Sequence, residues 1–297
     1  MEFNKKVLET EAALLRGARK HMDRNGFSEV VVPHLTRGTG SCENVDTMFA
    51  IDWFGEGEVY LCQTGQLYLE SLIPHAFDKV WCVGPSFRAE PRVDKRHLAE
   101  FVLLEFEFAG GFEELLTEIE ATVKSMTKEA GLELKEPFAR ITYTRAINEL
   151  GKPWAYDLKH ADEQYLVEMH GGGPLFITHY PEEIKFFNMR NNPENSRVVN
   201  SADLILPHSG EAVGAAERVY EYEMLHKKLS QSVMLKQLEA RGGSIEAFRW
   251  YLDHMKNKGS VLHSGCGIGL NRVTQYVLAE HDIRNATTYP VNKETVF

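Results

Sequence analysis

Residues 87–107, FRAEPRVDKRHLAEFVLLEFE, constrain the fold more than any other part of the chain. They read as a strand ending in Phe87-Arg88-Ala89-Glu90, a charged loop over 91–100, and a second strand over 101–108. Large side chains at Val102, Leu104, Phe106 and Phe108 recur with a period of two, so one face of the second strand is expected to be buried. The loop carries Arg92, Lys95, Arg96 and His97. Guanidinium forks match phosphate oxygens bidentately, so cations at a hairpin tip suit a polyphosphate. An ordinary solvated loop has the same composition, and the stretch alone does not separate the two.

The flanks place this hairpin in a mixed chain. Apolar residues at Val7, Leu8, Leu14, Leu15, Ala18 and Met22 predict an amphipathic helix over 5–24, ended by Asn25-Gly26. A β-branched strand over 27–33 stops at Pro33, and 36–46 is a loop rich in Gly, Ser and Thr. A hairpin over 48–53 and 58–63 turns through Phe54-Gly55-Glu56-Gly57. A helix from Gly65 to about 76, a strand over 79–83 and a helix over 112–130 follow. Further helices are expected at 145–150, 162–169, 218–239, 245–256 and 270–280, and strands at 175–179, 186–189, 202–206, 211–216 and 261–267. Hairpins and helices without regular βαβ alternation give α+β with a mainly antiparallel sheet.

The 297 residues are enough for a substantial core, and 43% hydrophobic with 26% charged is ordinary for a globular enzyme. Net charge is −10, which argues against a protein whose main work is gripping nucleic acid, while leaving room for a local basic site. The four cysteines, Cys42, Cys62, Cys82 and Cys266, form no CxxC pair and suggest a reducing, cytoplasmic setting rather than zinc or disulfides. No apolar run approaches a membrane span or a signal peptide.

Three further places carry polar groups beside glycine. Asp203 and Glu211 lie eight residues apart on two short strands, and hard carboxylate oxygens brought together suit Mg2+ carrying nucleotide phosphates. Two exposed acids fit the spacing equally well. In Gly265-Cys-Gly-Ile-Gly-Leu-Asn-Arg272, Gly267 and Gly269 let a nucleotide approach the backbone, and Arg272 opens the last helix. No acidic residue follows at the distance a dinucleotide fold requires, and Cys266 reads as a packed small hydrophobe. Glu43 and Gln66 adjoin glycine-containing loops and are able to cradle an ammonium, although as isolated residues they belong on the surface.

Together these pieces resemble the catalytic core of the class II aminoacyl-tRNA synthetases, in their asparaginyl branch. Residues 26–33 are similar to the first signature motif, which builds a dimer interface in that family. Phe87-Arg88-Ala89-Glu90 with Arg96-His97-Leu98-Ala99-Glu100-Phe101 resembles the second motif, and Gly265 to Arg272 the third. Ser41-Cys42-Glu43, Gly65-Gln66-Leu67, Pro181-Glu-Glu-Ile-Lys185 and Trp250-Tyr251-Leu252-Asp253 followed by Gly259-Ser260-Val261 resemble the same branch. The likeness covers about 5–290. It implies a six- or seven-stranded antiparallel sheet flanked by helices, a homodimer, and ATP with Mg2+. By the same resemblance Arg88 grips the α-phosphate and Arg272 the γ-phosphate. Glu90 accepts from the adenine amino group, Phe101 stacks on the ring, and Arg96 and His97 bind pyrophosphate. Asp203 and Glu211 hold Mg2+, and Glu43 and Gln66 take the α-ammonium of aspartate or asparagine. Arg218 faces the substrate side chain, and Lys185 joins the substrate-binding set.

The departures shape the expected function. The catalytic helix begins at once, so 1–297 is expected to be a single catalytic domain without the anticodon-binding barrel. Where aspartate-activating relatives have a Lys, this chain has Leu69, which leans toward an amide or an altered substrate. Asn271 replaces an acid before Arg272, Gly214-Ala215-Ala216 replaces Gly-Gly-Ser, and Glu217 replaces Gln, where it is expected to pair with Arg218 or to favour an amine or amide. The leading expectation is an ATP-dependent, AMP-forming ligase that activates aspartate or asparagine as an acyl-adenylate. It then passes the acyl group to a small non-tRNA acceptor such as ammonia, in the manner of a stand-alone asparagine synthetase, with tRNA not a partner. The alternatives are an asparaginyl-tRNA synthetase-like enzyme charging tRNA or a protein, and a non-catalytic regulatory or dimerisation module.

Overall fold

The computed structural model describes residues 4–38, 45–75, 77–258 and 261–297. Eight strands form one sheet in the order Ser28–Glu29, Lys79–Phe87, Glu100–Ala109, His263–Gly269, Gly210–Glu217, Ser201–Leu206, Leu175–Thr178, Ala139–Thr142. The six central strands pair antiparallel, and only the two outermost pairings are parallel. The α+β class expected from the sequence is therefore observed, with more strands than the six or seven anticipated.

The alternation in Glu100–Ala109 sorts the two faces of the sheet. Leu104, Phe106 and Phe108 join the main core, packed with Leu14 and Met22 from helix Lys5–Arg24 and Leu116 and Ile119 from helix Phe112–Glu129. The two helices approach closely at Gly17, where a Cβ would lie 2.5 Å from the Ser125 carbonyl oxygen. Glu105 and Glu107 point the other way and are also buried. The expected face is buried, and the second face is covered as well, with Glu105 at the floor of a cavity rather than in solvent. Opposite these two glutamates the neighbouring strand places Gly267 and Gly265, and the next places Gly214 and Ala216. Small residues leave the row of Glu105, Gly267 and Gly214 open to the cavity, while Glu107 packs over Gly265.

A second core covers one end of this floor. Phe186, Phe187, Leu225, Leu229, Leu235, Phe248 and Tyr251 pack there, on helices Tyr222–Gln231, Val233–Ala240 and Arg249–Lys258 and the segment before them. Two expectations fail here. Residues 186–189 form no strand, only an isolated bridge between Met189 and Arg218, because the two phenylalanines plug a helical core. The helix expected over 218–239 begins at Tyr222 and breaks at Ser232, whose hydroxyl accepts from the Leu235 amide at 3.1 Å and caps the next helix. The strand over 27–33 shrinks to Ser28–Glu29, and strand Ala139–Thr142 was not foreseen. Among the described residues no helix is long and apolar enough to cross a membrane.

Candidate active site

One cavity of about 520 Å3 lies against the open face of the sheet. Every predicted site residue within the described chain lines it: Gln66, Arg88, Glu90, Arg96, His97, Phe101, Lys185, Asp203, Glu211, Arg218, Gly267, Gly269 and Arg272. Glu43, with its flanking Ser41-Cys42, lies outside the described residues.

The hairpin supplies one wall. Arg88 follows directly on strand Lys79–Phe87, and its amide donates to the Ala99 carbonyl at 2.8 Å, closing the hairpin behind it. Its guanidinium lies 5.4 Å from the Phe101 ring centre, a cation–π contact. His97 stands at the rim, 2.8 Å from Asp94, which also accepts the Arg96 and His97 amides. At the far end Arg272 donates to the carbonyls of Ser209 and Arg96, both at 2.7 Å. Burial, and then the neighbouring Arg96 charge, lower Arg272 to a pKa of about 10, still charged at neutral pH.

On the opposite wall Lys185 donates to both Asp203 oxygens at 2.9 and 2.8 Å and lies 3.9 Å over the Tyr180 ring. Burial and the Asp203 charge push Glu211 up to about 7, with Lys185 opposing. The crowding is the electrostatic condition a cation relieves. Among the described residues no group of three or more ligating side chains could hold a metal ion on its own. Two carboxylates short of a closed shell fit Mg2+ that arrives with phosphate oxygens and water.

The deepest end was only partly visible in the sequence. Arg218 is buried, with its Nε 3.5 Å from both Glu70 and Glu107. Glu70 accepts from Asn188 Nδ2 and from the Tyr251 hydroxyl, each at 2.6 Å, while Glu107 accepts from Gln66 Nε2. His263 lies 3.9 Å from each glutamate. The pair divides one charge. Burial alone would raise Glu70, but Arg218 and its hydrogen bonds hold it below the usual range, whereas burial pushes Glu107 up to about 8. His263 is raised: burial opposes its charged form, but the hydrogen bond to Glu70 and both carboxylate charges outweigh it. Glu70, Glu107 and His263 were not anticipated. Acids at alternate positions of an otherwise apolar strand, Glu105 and Glu107, were the available signal.

The departures resolve structurally. Leu69 is fully buried among Val32, Val80 and Cys82. Glu217 does not pair with Arg218; it binds Arg190 at 2.8 Å and caps the helix N-terminus through the Phe112 amide at 3.0 Å. Asn271 accepts from the Val102 amide at 3.1 Å and donates to Thr287 at 3.2 Å, tying the last helix to the hairpin. Cys266 is buried in the main core, as expected.

An antiparallel sheet whose cavity has a cationic hairpin on one wall and a carboxylate pair on the other defines an ATP-dependent activating site of the class II synthetase type. A family profile described as tRNA synthetases class II (D, K and N) matches residues 1–293. The asparagine–tRNA ligases of Pelotomaculum thermopropionicum and Thermococcus kodakarensis are each 34% identical, over 96% of this chain and 68% of theirs. The crystal structure of asparaginyl-tRNA synthetase from Pyrococcus horikoshii complexed with asparaginyl-adenylate superposes with a TM-score of 0.87 at 30% identity, covering 98% of this chain and 69% of that one. The Entamoeba histolytica asparaginyl-tRNA synthetase in complex with asparaginyl-adenylate gives 0.84 at 29%, covering 98% and 67%. The chain belongs to the class II tRNA synthetases of this D, K and N family, and is an ATP-dependent, adenylate-forming ligase.

The relatives also correct two expectations. They are named as tRNA ligases and align over 96% of this chain, which overturns both a small non-tRNA acceptor and the exclusion of tRNA as a partner. Whole-chain charge misled there, because nucleic-acid contact is decided by local charge.

Proposed function

We propose that this chain activates asparagine with ATP and transfers the asparaginyl group to tRNA. The observation that carries the choice of amino acid is Arg218 set between buried Glu70 and Glu107. Its charge is already countered from behind, so an aspartate carboxylate gains little there, while an uncharged amide still finds a donor for its carbonyl. A cavity of about 520 Å3 falls within the ~300–1,000 Å3 usual for small-molecule sites.

In this reading Gln66, with Glu43, takes the α-ammonium, and Lys185 joins the substrate wall through Asp203. Phe101 and Glu90 hold the adenine, and the bare backbone at Gly267 and Gly269 admits the nucleotide. The asparagine α-carboxylate oxygen attacks the α-phosphorus, and the bond to the β-phosphate oxygen breaks. Pyrophosphate leaves with the electron pair, and no proton moves. Arg88 stabilises the charge that builds on the α-phosphate, and Arg96, His97 and Arg272 receive the leaving pyrophosphate. Asp203 and Glu211 would hold Mg2+, which supplies charge neutralisation at the phosphates. A terminal ribose hydroxyl of tRNA then attacks the acyl carbon, the bond from that carbon to the phosphate oxygen breaks with its electron pair going to AMP, and the departing AMP phosphate takes up the hydroxyl proton. We also read residues 1–297 as one catalytic unit working in the cytoplasm as a homodimer. The homodimer rests on the resemblance of residues 26–33 to the motif that builds a dimer interface.

Pyrophosphate exchange and aminoacylation of tRNA transcripts, each with asparagine and aspartate, test this reading. Exchange with asparagine and formation of asparaginyl-tRNA are expected. Exchange driven better by aspartate, or exchange with asparagine that never yields charged tRNA, would overturn it.

A further inference from the structure

Two guanidinium groups, those of Arg96 and Arg272, converge on one end of the cavity. Arg272 donates to the Arg96 carbonyl at 2.7 Å, so loop and helix are tied together while their charges repel. A carboxylate reaches them from outside the predicted set. Glu163, on helix His160–Met169, has a side chain only 8% exposed, and its Oε2 has no hydrogen-bond partner. That oxygen lies 3.7 Å from Arg96 Nη2 and 3.6 Å from His160 Nδ1. Arg96 Nε and His160 Nδ1 are likewise buried without a hydrogen-bond partner.

The three groups meet over Gly210. A Cβ there would lie 2.9 Å from Glu163 Oε2, 3.0 Å from His160 Nδ1 and 3.4 Å from Arg96 Nη2, and the residue has φ +79°. The positive φ favours glycine, and the missing Cβ leaves room for the carboxylate beside the loop. Glu163 also lines a second cavity, of about 300 Å3, which shares Lys185, Asp203 and Glu211 with the first. A buried carboxylate oxygen with an unfilled acceptor is unfavourable unless it serves an opposite charge, and the permanent charge within reach is Arg96 at 3.7 Å.

We propose that Glu163 is a positioning residue for Arg96, holding the charged loop over the polyphosphate end of the cavity from behind Gly210. The proposal rests on the phosphate role given to Arg96 above. Before ATP enters, Glu163 offsets the repulsion between Arg96 and Arg272 and keeps both aimed at the place where phosphates arrive. Burial and Arg96 both lower Arg272, while Glu163 acts in the opposite direction.

Pyrophosphate exchange on the full chain gives KM for ATP, pyrophosphate and asparagine in E163Q, E163D, R96A and the E163Q/R96A double variant. E163Q should raise KM for ATP and pyrophosphate about tenfold, the scale of a close, partly buried charge pair, and leave that for asparagine unchanged. E163D keeps the charge and should recover part of the loss. In the R96A background E163Q should add less than about twofold, because residues acting through one another are not additive. If the two losses multiply in full, Glu163 works independently of Arg96, and the inference falls while the role of Arg96 stands. If R96A leaves both phosphate-substrate KM values unchanged, the reading beneath it falls too. An asparagine KM that rises as much as that for ATP in E163Q would mark a general loosening of the pocket and equally overturn the proposal.

Discussion

At the scale of single residues, the two ends of the cavity make different demands. Arg88 faces the cavity and stacks on Phe101, so its loss should leave the fold intact and act on chemistry. Arg88→Ala should lower kcat for pyrophosphate exchange about 10²–10³-fold, the range seen when one preorganised group is removed from a developing charge, with little change in Tm. Arg218→Ala is the contrary case. It strands Glu70 and Glu107 in the interior, and breaking a buried pair from one side costs about 3–5 kcal/mol. A urea titration should show that loss, and asparagine-dependent exchange should vanish with it. Glu107 adds a pH dependence. Its folded pKa of about 8 lies above the ordinary 4.5, so the folded chain keeps a proton that the unfolded chain releases. Its contribution is fully present below about 4.5 and is lost as pH rises through about 8, since stability falls wherever the folded state binds more protons. Glu70, shifted downward, acts in the acid range instead, where stability is lost as pH falls below its ordinary value. Urea midpoints measured across pH 4.5–8 should therefore decline less in Glu107→Gln than in the parent chain, and an identical slope would remove Glu107 as the cause. The sequence exposed the cavity-lining residues because phosphate and carboxylate chemistry need charges beside glycine. It hid Glu70 and His263, which meet Arg218 and Glu107 beneath the cavity and carry no spacing signature, and the alternation of Glu105 with Glu107 was the one trace of this buried charge.

At the scale of elements, two glycines of strand His263–Gly269 look alike in sequence and differ in what surrounds them. At Gly265 a Cβ would overlap the Glu107 carboxylate and the Phe106 carbonyl and lie 2.7 Å from Gln66 Nε2. At Gly267 the nearest atoms are 3.7 Å away, on Glu105, and the residue faces the cavity. Gly265→Ala should therefore cost about 1–3 kcal/mol of stability, as overpacking does, and lower Tm and soluble yield. Gly267→Ala should fold normally and raise KM for ATP. Differential scanning calorimetry beside exchange kinetics separates the two, and equal loss of Tm in both would show that the rows facing Glu105 and Glu107 are equally tight. The same strand shows what a pattern can and cannot predict. Period-two alternation located Glu100–Ala109 and its core face, yet it could not say that the second face is also covered. Residues 186–189 misled for a related reason. A short apolar run buried against helices has the composition of a strand, and only the tertiary contacts of Phe186 and Phe187 decide the matter. Ala139–Thr142 was missed because four residues at a sheet edge carry too little periodicity.

At the scale of the whole molecule, the proposed charging of tRNA requires a chain of net charge −10 to meet a polyanion. Repulsion over most of the surface leaves attraction to whichever cations stand near the cavity mouth. Arg92, Lys95 and His97 are exposed on the hairpin loop, and Lys293 lies beside it, donating to the Pro91 carbonyl at 3.4 Å. A small set of this kind neutralises few phosphates. The salt dependence of tRNA charging should then be shallow beside that of a strongly basic protein. With about three contacts, kcat/KM for tRNA should fall roughly tenfold to hundredfold between about 50 and 200 mM salt, against the ~10³–10⁵ loss expected for six to ten contacts. Pyrophosphate exchange, carried by charges inside the cavity, should change far less over the same range, because buried pairs are weakly screened. Replacing Arg92 and Lys95 together with glutamine should flatten the charging slope and leave exchange as it was. A steep slope that survives this double substitution would place the tRNA-binding cations elsewhere on the molecule, and the loop would then serve ATP alone.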